Sequence, residues 1–246
     1  MRTGYYRYHN INNFIPVYME KLKTDWKDYW WKILAIILVS YTVIVGFLIK
    51  VPRIAIVQES VRNQFFHVSM WFSMMVLLTT SLIYSIRYLS RPSQRVDRIA
   101  EEFAYMGIVL GLLGLTTGSI WARFTWGAWW VNDPKLNGAA ICMLIYLAYV
   151  VLRNSIEDEI QRARIGAVYN IFAWATLLPL LYILPRLTDS LHPGSGGNPG
   201  FNIYDLDNNL RLVFYPSIIG WTLLSVWIIQ LRVRYKILKS KLDDLS

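Results

Sequence analysis

Six long stretches of the chain contain no Asp, Glu, Lys or Arg and consist mostly of apolar residues. They are residues 33–49, 63–86, 103–122, 136–152, 165–185 and 212–231. As a helix, a run of 17 residues reaches about 25 Å and one of 20 residues about 30 Å, which brackets the hydrocarbon thickness of a bilayer. The pattern therefore predicts an all-α, polytopic membrane protein with six transmembrane helices.

Composition supports a lipid environment and argues against several other classes of protein. Of 246 residues, 55% are hydrophobic and only 17% are charged. The net charge of +9 is not gathered in a recognisable nucleic-acid-binding module, so nucleic acid is not an expected partner. Cys142 is the one cysteine, which excludes an internal disulfide and a Cys-x-x-Cys metal or heme-attachment site.

The placement of Lys and Arg predicts the orientation of the helices. With both termini in the cytoplasm, 18 of the 25 basic residues lie inside and seven lie outside, as the positive-inside rule requires. The predicted parts are a cytoplasmic N-terminal segment (1–32), a six-helix membrane domain (33–231) with an outer loop at 121–137, and a basic cytoplasmic tail (232–246). A bacterial inner membrane protein with its functional face on the periplasmic side is expected.

The third run carries glycines at spacings of four, three and four residues: Gly107, Gly111, Gly114 and Gly118. Such a stripe of small residues lets a neighbouring helix approach closely. We interpret it as a packing surface.

The outer loop between the third and fourth runs is rich in tryptophan, with Trp121, Trp126, Trp129 and Trp130 within ten residues. If this segment is helical, the last three share one face with Asp133, which makes an aromatic platform edged by a carboxylate. Such a platform suits a flat apolar ligand. The alternative is an interfacial belt of aromatic side chains at the level of the lipid headgroups.

Two of the three histidines map to the outer face. His67 lies at the outer end of the second run and His192 in the last outer loop, whereas His9 is in the N-terminal segment. Two neutral imidazoles could supply both axial ligands of a heme iron. The alternative is a pair of unrelated polar loop residues.

The segment from Trp126 to Pro134 reads WGAWWVNDP, and it resembles the tryptophan-rich "WWD" signature of the heme-handling proteins of cytochrome c biogenesis. The family pattern Trp-Gly-x-x-Trp-x-Trp-Asp is matched at Trp126, Gly127, Trp130 and Asp133, while Asn132 stands in place of the last Trp. Six helices, with one outer histidine on either side of the signature, are similar to the CcmC branch. The resemblance covers roughly residues 63–231.

The resemblance implies a component that binds heme b as cargo and has no catalytic turnover of its own. Heme would lie against Trp126, Trp129 and Trp130 at the outer surface, with His67 and His192 as axial ligands of its iron. The implied partners are a membrane-anchored periplasmic heme chaperone, the ATPase and permease subunits of an ABC transporter, and a small membrane subunit.

Candidates for binding the heme propionates are the basic residues on the outer side of the membrane. Arg62, Arg123 and Lys135 all fall on that side. Two other functions stay open. One is a heme-ligating synthase-like enzyme of the other cytochrome c biogenesis system, and the other is a small-molecule transporter, for which Pro179 could break the fifth helix.

Overall fold

The protein is described from a computed structural model, which covers residues 29–52, 58–192 and 207–243. The N-terminal segment up to residue 28 and the Gly-rich part of the last outer loop lie outside the described residues. Six helices in the described part are long and apolar enough to cross a membrane. The predicted all-α fold with six transmembrane helices is thereby confirmed.

The helices alternate in direction through the bundle. They are α1 (Trp30–Leu48), α2 (His67–Ser90), α3 (Gln94–Trp126), α4 (Pro134–Asn154), α5 (Glu159–Leu178) and α6 (Asn208–Asp243). A 3₁₀ helix, Gln58–Phe65, leads into α2. The non-helical part of the predicted outer loop at 121–137 is shorter than expected, because α3 continues through Trp126 and α4 begins at Pro134.

The most extensive packing is between α2 and α3, and the glycine stripe of α3 makes it possible. A methyl group added at Gly107, Gly114 or Gly118 would collide in turn with Leu78, Trp71 and His67 of α2, and one added at Gly111 would collide with Met143 of α4 and also crowd Met74 of α2. The close approach follows from the missing side chains, as small residues allow between membrane helices. The predicted packing role is confirmed, and the last glycine holds α3 against His67.

Buried hydroxyl and amide groups join α2 to the later helices. Ser69 hydrogen-bonds Ser217 of α6, and the Asn170 side chain of α5 donates to Ser81 and Ser85, each at 2.8 Å. Polar groups in an apolar interior need such partners, because an unmet donor or acceptor there costs free energy. The bonds therefore help to fix α5 and α6 on α2.

The ends of α3 and α6 opposite the histidines are joined by ion pairs. Arg232 pairs with Glu102, which is fully buried, and the Lys236 ammonium lies 2.6 Å from Glu101. The predicted basic tail begins at residue 232; as far as Asp243 it is the helical continuation of α6, and two of its cations are bound to carboxylates of α3.

Pro179 does not break the fifth span. α5 ends at Leu178 and passes into a π-helical segment, Pro179–Ile183, followed by one helical turn, Leu184–Leu187. The proline lacks an N–H, and a π-turn is one way to accommodate the missing hydrogen bond. Gly138 of α4 sits directly against the Leu180 carbonyl in this segment, so the backbone of α4 touches the π-helical segment here.

Candidate functional site

Both candidate histidines lie at one end of the bundle. His67 is the first residue of α2, and His192 follows the last helical turn of the fifth span. The 3₁₀ helix, the end of α3 and the start of α4 meet at the same end. Residues 125 positions apart in sequence are thus brought near enough to interact electrostatically.

His67 is fixed by α3. Its Nδ1 lies 2.8 Å from the Gly114 carbonyl oxygen and 3.3 Å from the Thr117 hydroxyl. A carbonyl only accepts, so Nδ1 carries the proton and the lone pair of the neutral ring is on Nε2. No described residue hydrogen-bonds to that Nε2.

His192 is fixed by Asp133, whose Oδ1 lies 3.1 Å from its Nδ1. Burial lowers the pKa of His192 to about 4, with the Lys135 charge acting in the same direction and Asp133 opposing both. The ring is therefore neutral at physiological pH, with its proton on Nδ1. Among the described residues, none hydrogen-bonds to its Nε2.

The Asp133 carboxylate, 1% exposed, joins the start of α4 to the loop after the fifth span. As the N-cap of α4, its Oδ1 accepts from the N–H groups of Lys135 and Leu136. Its Oδ2 accepts from the Ser190 hydroxyl at 2.9 Å and the Leu191 N–H at 2.7 Å.

The ionised state of Asp133 follows from these contacts. Burial raises the pKa of Asp133, but the Leu191 N–H, His192 and the Ser190 hydroxyl together outweigh it, and the pKa falls below its usual value. The carboxylate thus stays charged at neutral pH and can accept from several donors at once.

Two tryptophans pack around His192. The Trp126 ring lies 5.3 Å from the imidazole in an edge-to-face arrangement, and the Trp121 ring lies at 6.3 Å. Trp121 also meets Trp126 edge-to-face at 4.8 Å and donates its indole N–H to Ser60. The aromatic cluster therefore surrounds His192 and reaches the 3₁₀ helix.

The aromatic platform was conditional on one helix running through the tryptophan segment, and that condition is not met. α3 ends at Trp126 because Gly127 takes a left-handed conformation with φ of 79°, which favours glycine. Trp129 and Trp130 lie beyond this cap and are 59% and 43% exposed. They do not share a helical face with Trp126, and Asp133 points to His192 instead of edging their rings.

The three outer cations have different surroundings. Arg62 donates to the Gly46 and Ile49 carbonyls at the end of α1, and Arg123 donates to the Gly127 carbonyl at the end of α3. Both therefore stabilise helix ends. Lys135 is close enough to His67 and His192 to act electrostatically on both.

Asn132, which departs from the signature, takes part in a short hydrogen-bonded chain. Its side-chain oxygen accepts from the Asn137 amide at 2.8 Å, and the Asn137 oxygen accepts from the Trp130 indole at 3.2 Å. Two asparagines thus tie Trp130 to the first turns of α4 in place of an aromatic contact.

Sequence reasoning missed the groups that orient the histidines. Nothing in the pattern marks the Thr117 hydroxyl, the Gly114 carbonyl or the Ser190 hydroxyl, because each acts through a contact between residues distant in sequence. Trp121 had a signal, its place in the tryptophan segment, but it was not named as a binding residue.

The arrangement suits a ligand that brings most of its own metal coordination. Within the described ranges there is no group of three or more His, Cys, Asp or Glu side chains that could hold a bare metal ion. Two neutral imidazoles whose Nε2 atoms no described residue engages, beside aromatic rings, are instead a donor set of the kind that supplies the two axial ligands of a porphyrin iron.

Comparisons with known proteins point in the same direction. The family model described as heme exporter protein C matches residues 11–246. The chain is 29% identical to heme exporter protein C of Paracoccus denitrificans over 72% of this chain and 70% of the relative. It is 30% identical to the same-named protein of Bradyrhizobium diazoefficiens, over 76% and 70%.

A shorter similarity extends to a second branch. The chain is 36% identical to cytochrome c biogenesis protein CcsA of Synechococcus sp. over 32% of this chain and 26% of that protein.

Proposed function

The chain belongs to the heme exporter protein C family, and on that premise we propose that it binds heme b as cargo for cytochrome c maturation. His67 and His192 are the two axial ligands of the heme iron, and the rings of the tryptophan-rich signature contact the porphyrin. The protein delivers this heme without catalytic turnover of its own.

One observation carries the proposal: both histidines have the protonation geometry of metal ligands. In each ring Nδ1 donates to an oxygen of the protein, which leaves the Nε2 lone pair for iron. Metal-bound histidines are typically held in this way by a hydrogen bond from the other nitrogen. Two loop histidines without a shared role would not need matching tautomers.

The surroundings fit a porphyrin with propionate groups. Trp121 and Trp126 supply aromatic surface next to His192. Lys135 is the cation whose charge reaches both histidines, so we assign it to a propionate, with Arg123 as a second candidate at the rim. Gly127, which ends α3, places the exposed rings of Trp129 and Trp130 beyond the helix, where the open edge of a bound heme can meet them.

The same end of the bundle is proposed to face the periplasm, with both termini in the cytoplasm. The excess of Lys and Arg at the opposite end supports this orientation. We further propose that heme passes from this face to a membrane-anchored periplasmic chaperone, within a complex that includes an ABC-type ATPase and permease and a small membrane subunit.

The absorbance spectrum of the purified protein from heme-sufficient cells tests heme binding. We expect a six-coordinate, low-spin heme that becomes five-coordinate or water-ligated in His67→Ala and in His192→Ala, and is mostly lost when both are replaced. His9→Ala is the matched control and should leave the spectrum unchanged. A colourless protein, or a low-spin spectrum unchanged in both single variants, would contradict the assignment.

A further inference from the structure

The two histidines are held by acceptors of different charge. His192 donates to the carboxylate of Asp133, whereas His67 donates to the neutral carbonyl of Gly114 and the hydroxyl of Thr117. The Thr117 hydroxyl itself donates to the Leu113 carbonyl at 2.8 Å, so it can only accept from the ring. His192 thus donates to a charged acceptor at the start of α4, whereas His67 donates to neutral acceptors of α3.

A charged acceptor changes the imidazole as a ligand. A carboxylate that accepts the Nδ1 proton draws it away from the ring and raises the electron density at Nε2, which makes the imidazole a more basic ligand. A backbone carbonyl has the same directional effect but carries no net charge, so it polarises the ring less. By this comparison His192 is the stronger donor to iron.

The Asp133 carboxylate is also held rigidly enough to orient its partner. Both oxygens are used, one by the N-terminus of α4 and His192, the other by Ser190 and Leu191. Since Ser190 and Leu191 immediately precede His192 in the chain, Asp133 fixes the backbone of the histidine as well as its ring. The buried Asp133 side chain thus sets the position, the tautomer and the basicity of His192.

We propose that Asp133 is the positioning residue of His192 and that the two heme ligands are unequal, with His192 the strong ligand and His67 the one that yields first when heme leaves. This inference rests on the proposed function, since it assumes that both histidines bind the iron. It gives the acidic residue of the tryptophan-rich signature a role through a histidine and not through contact with heme.

A double-mutant cycle tests the assignment on the purified full-length protein. Asp133→Asn removes the charge but keeps a good helix N-cap, so α4 should still begin at the same place. In the His67→Ala background, where His192 is the remaining ligand, we expect Asp133→Asn to lower heme affinity by about 10- to 100-fold and to raise the midpoint potential of the heme. In the His192→Ala background it should change neither.

Thr117→Val is the matched control on the other histidine. It removes a neutral acceptor from His67, so its effect should appear only in the His192→Ala background and should be smaller, because the Gly114 carbonyl remains. Heme titrations and potentiometry on the same samples give both readouts, and elution as a single species from gel filtration shows which variants are folded.

The outcomes separate this inference from the proposed function. Equal losses for Asp133→Asn in both backgrounds would make Asp133 only a structural anchor, and a tighter heme in His192→Ala than in His67→Ala would reverse the order of the ligands. Either result overturns the inference and leaves heme binding intact. Failure of the unmodified protein to bind heme would overturn the proposed function and this inference with it.

Discussion

Gly118→Ala should weaken heme binding by acting on His67 alone. A methyl group at this position would lie 2.5 Å from Cε1 of the imidazole, so the ring must move by about 1 Å to reach an ordinary contact distance. A movement of that size breaks the 2.8 Å hydrogen bond from Nδ1 to the Gly114 carbonyl. We expect heme affinity to fall by about 10- to 100-fold, or roughly 1.4–2.8 kcal/mol.

Gly107→Ala is the matched control for this variant. Its added methyl would also lie 2.5 Å from a side chain of α2, but that side chain is Leu78. Gly107 and Leu78 lie at the opposite end of the glycine stripe from Gly118 and His67. Both variants should lower thermal stability through overpacking, by about 1–3 kcal/mol, yet only Gly118→Ala should alter the heme spectrum. Heme titration and thermal unfolding in detergent distinguish the two effects. Equal heme affinity in the two variants would refute the placement of His67 against Gly118.

Two further predictions follow from the outer end of the bundle. Trp126→Ala should lower heme affinity more than Trp130→Ala, because Trp126 packs on His192 whereas Trp130 is 43% exposed. Heme titration measures both, and unchanged heme affinity in both variants would favour the headgroup-belt interpretation. Reporter fusions after Lys241 and within residues 193–200 should report opposite sides of the membrane, the first cytoplasmic and the second periplasmic, and a common side for both would contradict the orientation derived from Lys and Arg.

The transmembrane helices could be predicted from the sequence because lipid imposes a strong and local requirement. Every span needs a long run of residues without charge, and such a run can be recognised from the sequence of that segment alone. The glycine stripe could also be predicted from the sequence, since its spacing is that of a single helix face. The end of α3 was not located: the apolar run stops at residue 122, whereas the helix continues to Trp126 and ends where Gly127 takes a left-handed backbone conformation.

The relation between Asp133 and His192 could not be predicted, although both residues were singled out. They are 59 positions apart, and their meeting depends on how α4 and the fifth span pack. That packing includes the contact of Gly138 with the π-helical segment after Pro179, which no local pattern encodes. Sequence periodicity describes one helix at a time, whereas the orientation of a ligand depends on several.

The ion pairs at the other end of the bundle constrain the order in which the chain can complete its fold. Glu102 is inserted with α3 but meets its cations only when Arg232 and Lys236 are synthesised, about half the chain later. A nascent chain that stops before α6 carries a carboxylate without its partners at the membrane boundary, which is costly in a poorly solvated place. Completion of the last helix therefore supplies the cationic partners of this buried carboxylate.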